Sequence, residues 1–300
     1  MLKIAFDSSY VYPLPPKHRF PMEKYELLPQ QLLHEGTCTE ENFFEPEIPN
    51  DKYILAVHDA EYYYDFLNLK LSQKEIRRTG FPLSRALVYR ERLITGGTIQ
   101  AAKFALENGI AMNIAGGTHH AYSNRGEGFC MLNDQAIAAR YLQQQKLADK
   151  ILIVDLDVHQ GNGTAEIFAG DDSVFTFSMH GEKNFPFKKE KSDLDIALPN
   201  ETNDEEYLGI LKNTLPDLLE KVQPDFVFYL SGVDVLATDK LGKLNLSIEA
   251  CKERDKFVLE TLKANNLPVE CSMGGGYSTE IKHIVEAHAN TYRLAQEIYF

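Results

Sequence analysis

Ile151-Leu152-Ile153-Val154-Asp155-Leu156-Asp157-Val158-His159 is the stretch that decides the fold class. Its four leading aliphatic residues read as a strand buried on both faces, as in a parallel sheet. Side chains alternate along a strand, so a strand over 151–157 running on into His159 sends Asp155, Asp157 and His159 off the backbone on one side. One Asp at a strand end usually caps the next helix, and a lone His is usually a hydrogen-bonded core residue. Three such groups together fit that reading poorly, because buried carboxylates without partners are costly. Two carboxylates and an imidazole on one side point instead to a divalent cation. Gly161-Asn162-Gly163 then supplies a turn that ends the strand and opens a helix.

The remainder is compatible with one core around that strand. Three hundred residues, 44% of them hydrophobic, suffice for one large α/β domain or two small ones. No repeat or low-complexity linker divides the chain. Pro13, Pro15 and Pro16 and the polar, acidic stretch 37–50 read as surface loops of a single domain over residues 1–300. There are 31 basic and 44 acidic residues, a net charge of −13, and no Lys/Arg cluster compensates for it. Direct nucleic-acid binding is therefore not expected, whereas a cationic substrate is compatible with the balance. Cys38, Cys130, Cys251 and Cys271 form no C-x-x-C pair and read as free thiols of a reducing compartment. The first residues do not look like a signal peptide, and no apolar run approaches the ~20 residues that span a membrane. A soluble, cytoplasmic protein is expected.

Short apolar strands alternate with amphipathic helices, the pattern of a parallel sheet covered on both faces. Strands are predicted over 2–6, 111–115, 151–157, 174–178, 226–230 and 269–273. Helices are predicted over 60–69, 84–108, 134–146, 204–222, 248–265 and 279–298, with Thr202-x-x-Glu205 as a capping box. Polar groups follow the strands: Gly116-Gly117-Thr118-His119-His120, His180, Gly232-Val233-Asp234 and Gly274-Gly275-Gly276-Tyr277. Open α/β sheets bind ligands beyond the carboxyl ends of their strands. All of these groups can gather there with Asp155, Asp157 and His159.

Asp157, His159 and Asp234 form a three-ligand set suited to Zn²⁺ or Fe²⁺, with a position left for water. Asp234 alone reads equally well as a turn or cap residue; its place after a buried strand and a Gly favours the ligand. Adjacent His119 and His120 beside a metal suit a general base and an electrostatic partner, with Asp155 placed to orient one of them. Tyr277 is placed to donate to an oxyanion, although with 15 Tyr in the chain simple packing competes. The triple Gly before it lacks the G-x-G-x-x-G pattern of a nucleotide cradle. Gly126–Cys130 and Phe185-Pro186-Phe187 are candidates for apolar channel walls, though aromatics more often belong to a core.

Taken together, GGTHH (116–120), GFC (128–130), DLDVHQGNG (155–163), SGVDVLATD (231–239) and GGGY (274–277) resemble, in order, the motifs of the histone deacetylase superfamily. HRFPMEKY (18–25) extends the match, and Asn162 with the FPLS (81–84) and TGGT (95–98) pieces resembles class IV deacetylases and their bacterial relatives. The resemblance implies a single-domain, three-layer arginase–deacetylase-like α/β fold with a mainly parallel eight-stranded sheet. It places Asp157, His159 and Asp234 on the catalytic metal, His119 and His120 as tandem catalytic histidines, and Tyr277 on the scissile carbonyl. It implies a structural K⁺ on Asp155, Ser178 and the backbones of Asp157, His159 and Met179, and an acyl-lysine tunnel at Gly128, Phe129 and Phe185. The implied activity is zinc-dependent deacylation of acyl-lysine in proteins or peptides, with acetylpolyamines or other small N-acyl amines as the alternative. A binuclear manganese ureohydrolase and an inactive acyl-lysine binding module rank below. Asn162 stands where most members have an Asp behind the second histidine, so His120 is expected to be less basic than His119.

Overall fold

The structure, a computed structural model, describes residues 1–300. Its strands are β1 (Lys3–Ala5), β2 (Phe43–Phe44), β3 (Ile110–Asn113), β4 (Ile151–Asp155), β5 (Val174–Gly181), β6 (Leu194–Leu198), β7 (Phe226–Leu230) and β8 (Val269–Ser272). They form one sheet in the order β2-β1-β3-β8-β7-β4-β5-β6. Every pairing is parallel, so the sheet is wholly rather than mainly parallel. The inner strands β3, β8, β7 and β4 are buried at every residue, which is why they read as unbroken apolar runs.

The helices are α1 (Lys24–His34), α2 (Asp51–Ile54), α3 (Ala60–Leu67), α4 (Gln73–Thr79), α5 (Arg85–Asn108), α6 (Asp134–Gln144), α7 (Asn162–Ile167), α8 (Asp204–Val222), α9 (Ile248–Ala264) and α10 (Ile281–Tyr299). Helix α5 lies along β1, β3 and β8 with α6 beside it, while α1, α10, α9 and α8 pack in sequence as the other helical layer. One cluster of 81 buried apolar residues fills the space between the layers. No helix is long and apolar enough to cross a membrane.

Several elements differ from the sequence expectation. β2 is only two residues long and carries no periodic signal, while β6, a half-exposed edge strand, does alternate in Leu194, Ile196 and Leu198 yet escaped the sequence reading. α1 was hidden by Pro29 within it. The capping box sits one residue later than Thr202/Glu205: Asn203 accepts from the Glu206 amide at 3.1 Å, and Glu206 accepts from the Asn203 amide at 3.2 Å. β4 stops at Asp155 and does not reach Asp157. The ends of β3, β8, β7 and β4, neighbours in the sheet, all open onto the same rim.

Candidate active site

Past the end of β4 the sheet bonding thins. The Leu156 amide still reaches the Leu230 carbonyl of β7 at 3.2 Å, and the Val158 carbonyl accepts the Gly181 amide of β5 at 2.9 Å. Acidic side chains take the amides of Asp157, Val158 and His159. The Asp157 amide donates to Asp155 Oδ1 at 3.1 Å, and the His159 amide donates to Asp157 Oδ1 at 2.9 Å. Two successive side-chain turns thus curl the chain. Asp157 and His159 converge because the strand has ended, which corrects the expectation that a pleat aligns them with Asp155. From the loop after β7, Asp234 accepts the Val158 amide on Oδ1 at 2.9 Å. Its Oδ2 lies 3.1 Å from His159 Nδ1, and Asp157 Oδ1 lies 3.0 Å from the same nitrogen. The Gly275 amide holds Asp157 Oδ2 at 2.9 Å. A Cβ at Gly275 would strike both carboxylates, and one at Gly232 would strike Asp157, so only glycine permits this approach.

One imidazole nitrogen and two carboxylates, all buried, lie with their ligand atoms within 4.8 Å of one another. Burial and the neighbouring Asp157 charge push Asp234 up to about 7. Burial opposes an imidazolium at His159, but the two carboxylates outweigh it and raise this residue to about 10. The site therefore stabilises positive charge at the point where the three donors meet. A divalent cation fits there, taking the place of that proton. Nearby, Lys24 is fully buried, donates to the Gly274 carbonyl at 3.1 Å, and is lowered by desolvation to about 8 against the pull of Asp234 and Asp157.

His119 and His120 stand with ring centroids 4.1 Å apart, both 5% exposed. His119 Nδ1 meets Asp155 Oδ2 at 2.6 Å, and His120 Nδ1 meets Asn162 Oδ1 at the same distance. Asn162 Nδ2 donates to the Tyr122 hydroxyl at 2.9 Å, and that hydroxyl donates to Glu190 at 3.2 Å. The carboxylate fixes the direction of this chain: Asn162 turns its oxygen to His120, which must carry its proton on Nδ1 and keep Nε2 as the basic nitrogen. Burial works against charge on both rings. At His119 the Asp155 charge and hydrogen bond overcome it and the pKa rises; at His120 desolvation and the neighbouring histidines lower it well below the usual range.

The chain matches the histone deacetylase domain family over residues 18–292. It belongs to the histone deacetylase family. An uncharacterised protein of Picosynechococcus is 47% identical over 296 residues, covering 99% of both chains. Histone deacetylase 2 of Arabidopsis thaliana is 29% identical over 299 residues, covering 95% of this chain and 76% of that protein. The acetoin utilization protein AcuC of Staphylococcus aureus is 26% identical over 295 residues, covering 91% and 76% respectively. The crystal structure of a histone deacetylase homologue complexed with SAHA superposes with a TM-score of 0.84 at 26% identity, covering 97% of this chain and 82% of that one.

In this member of the histone deacetylase family, a cavity of about 420 Å³ reaches His159 of the donor set. Gly128, Phe129 and Phe185 line it, as do His120, His159 and Tyr277. Phe185 stands edge-on to His120 with centroids 4.9 Å apart, and Tyr277 packs 5.8 Å from Phe20 and 6.0 Å from Phe129. Asp239 accepts the Tyr277 amide at 2.6 Å while holding the Leu241 and Gly242 amides at 2.8 Å, so it positions the tyrosine's backbone. Ser178 neighbours Asp155 across β4 and β5, with its hydroxyl 2.9 Å from His180 Nδ1, and Met179 is buried beside it. His180 lies inside β5, not after it.

Four positioning groups escaped the sequence reading: Tyr122, Asp239, Lys24 and Arg254. Arg254 on α9 is fully buried and bonds the carbonyls of Leu156 at 3.2 Å, Gly232 at 2.6 Å and Ser231 at 3.2 Å, as well as Asp255. It ties the loop that carries Asp157 to the loop that carries Asp234. Its place in an otherwise ordinary amphipathic helix offers no local signal of that role. Asp239 did lie within a quoted motif, two residues before Leu241.

Proposed function

We propose that the chain is a metal-dependent amidohydrolase that removes short acyl groups from the ε-amine of lysine in peptides or proteins. The DLDVHQGNG segment with Asn162, together with the FPLS and TGGT pieces, resembles class IV deacetylases and supports a place beside that branch. The observation that carries the reading is the meeting of the Asp157–His159–Asp234 donor set with His120 and Tyr277 at the end of one cavity walled by Phe129 and Phe185. Zn²⁺ or Fe²⁺ held by Asp157, His159 and Asp234 supplies a Lewis acid that polarises the amide carbonyl and acidifies a water.

The protein's own groups do the rest. His120 takes the water proton at Nε2, its tautomer held by Asn162, and returns a proton to the leaving amine. Tyr277 donates its hydroxyl to the carbonyl oxygen as negative charge develops there; burial raises its pKa and keeps it protonated. His119, paired with Asp155, contributes positive charge beside the reacting atoms. Asp155, Ser178 and the backbones of Asp157, His159 and Met179 are assigned to a structural K⁺ that stiffens the same loop. A second cavity of about 40 Å³, bounded by Phe20, Phe81 and Ile94 and by Asp157 and His159 among others, has room for about three water-sized groups, which suits a short acyl chain.

The test is hydrolysis of acetyl-, octanoyl- and myristoyl-lysine peptides by protein loaded with Zn²⁺ or Fe²⁺. Acetyl is expected to be the best substrate. Tyr277→Phe is expected to lower kcat by about 10²–10³, and Asp234→Asn to abolish metal binding. Full turnover in either variant contradicts the mechanism.

A further inference from the structure

The charge around the cavity mouth has the opposite sign to that of the chain. Arg19, Arg78, Lys183 and Lys243 line it, and Glu127 is the one carboxylate in the lining. The cations come from four separate places: the loop before α1, the last turn of α4, the loop after β5 and the loop after β7. None of the four pairs with a carboxylate. Glu127 lies 3.6 Å from Arg125 and is partly neutralised. Arg19 lies over the Phe129 ring, 4.9 Å from its centroid, so its charge sits directly above one wall of the tunnel. With 44 acidic against 31 basic residues in the chain, an even spread would make most of this ring acidic. No single stretch of sequence contains the four, and the fold assembles them.

We propose that the preferred substrate is an acyl-lysine flanked by Asp or Glu in an extended peptide or protein loop. This rests on the acyl-lysine reading above and narrows it. Once the acyl-lysine side chain enters between Phe129 and Phe185, the residues beside it emerge at the rim. Each extended residue advances about 3.3–3.6 Å, so the first two neighbours on either side come within reach of the four cations. An acylated polyamine brings further ammonium groups into the same ring and is repelled. A phosphate polymer satisfies the ring, but beyond it meets the surface of a chain with net charge −13. A short acidic segment matches the mouth alone. Phe187, 91% exposed in the same lining, offers an apolar contact to such a segment.

The experiment compares kcat/KM for acetyl-lysine peptides with two Asp or Glu, two neutral, or two Lys residues around the acetylated position. The metal-loaded enzyme is assayed at low and high salt, with a monoacetylated polyamine and a single-stranded oligonucleotide competitor alongside. Exposed pairs each contribute a few-fold at most, so the acidic peptide is expected to exceed the basic one by about tenfold at low salt. The preference is expected to vanish near 1 M salt, where screening acts within about 3 Å. Charge reversal in Lys183→Glu/Lys243→Glu is expected to invert the order, measured against the neutral peptide. Equal rates, a preference for the basic peptide, or faster turnover of the polyamine overturns the inference and leaves amide hydrolysis standing. Displacement of the acidic peptide by the oligonucleotide at equal charge also overturns it. Failure to hydrolyse any peptide, the neutral one included, removes the acyl-lysine reading and this inference with it.

Discussion

Replacing Asn162 by Asp adds one negative charge at a defined place. Asn162 Oδ1 lies 2.6 Å from His120 Nδ1, and the fully buried amide cannot turn away because Tyr122 and Glu190 hold its nitrogen side. The neighbouring pair supplies an internal reference. His119 faces the Asp155 carboxylate at 2.6 Å with the same 5% exposure as His120, and its pKa is raised where that of His120 is lowered. An opposite charge within 4–6 Å shifts a group by about 1–3 pKa units. At 1.36 kcal/mol per unit that is roughly 1.4–4 kcal/mol of added preference for the protonated ring. His120 acts as a base only when neutral, so activity falls as pH drops through its pKa. A low pKa leaves His120 neutral into acidic solution, and at matched metal content Asn162→Asp is expected to move the acid limb of kcat/KM up by about 1–3 units. The assay is the pH–rate profile on an acetyl-lysine peptide, with metal content matched between the proteins. An acid limb that stays in place refutes the assignment of His120 as the base.

Tyr122→Phe removes the acceptor for Asn162 Nδ2; stranding that buried amide is expected to cost about 1–3 kcal/mol of stability and to lower kcat several-fold with little change in KM. An unchanged kcat would show that the Tyr122–Asn162 link does not position His120. Saturating Zn²⁺ is expected to stabilise the protein by about 2.7 kcal/mol at one hundred times Kd, read as a rise in melting temperature. That rise shrinks as pH falls below about 10, because the cation must displace the proton that the two carboxylates hold on His159, and shrinks more steeply below about 7, where Asp234 holds one as well; a rise that is constant from about pH 9 down to pH 5, or that survives in Asp234→Asn, argues against the donor set. Arg254→Met leaves the Asp255 charge buried and unties two loops, so urea denaturation should show a loss of about 3–5 kcal/mol together with weaker metal binding. Retention of both would remove Arg254 from the site's support.

Much of this protein was legible before folding. The runs Ile151–Val154 and Phe226–Leu230 announce strands covered on both faces, since the inner strands of a parallel sheet admit no solvent side. The histidines, carboxylates, glycines and tyrosine of the site stand right after such strands, and a parallel sheet delivers all its strand ends to one rim. Those signals are local in the chain, so the sequence by itself determined the fold class, the family motifs and the donor set.

The tertiary structure decided what depends on distant segments meeting. Asp157 and His159 converge through side-chain turns past the end of β4, not through the pleat. Arg254, almost a hundred residues after Leu156, clamps the loop it supports. Tyr122 and Glu190 set which way Asn162 points, and with it the proton on His120. The four cations at the mouth come from separated loops, so no window of sequence contains them, and the total charge of −13 points the opposite way. Composition sums charge over the whole chain, whereas a substrate meets only the side chains that folding brings within a few ångströms of it.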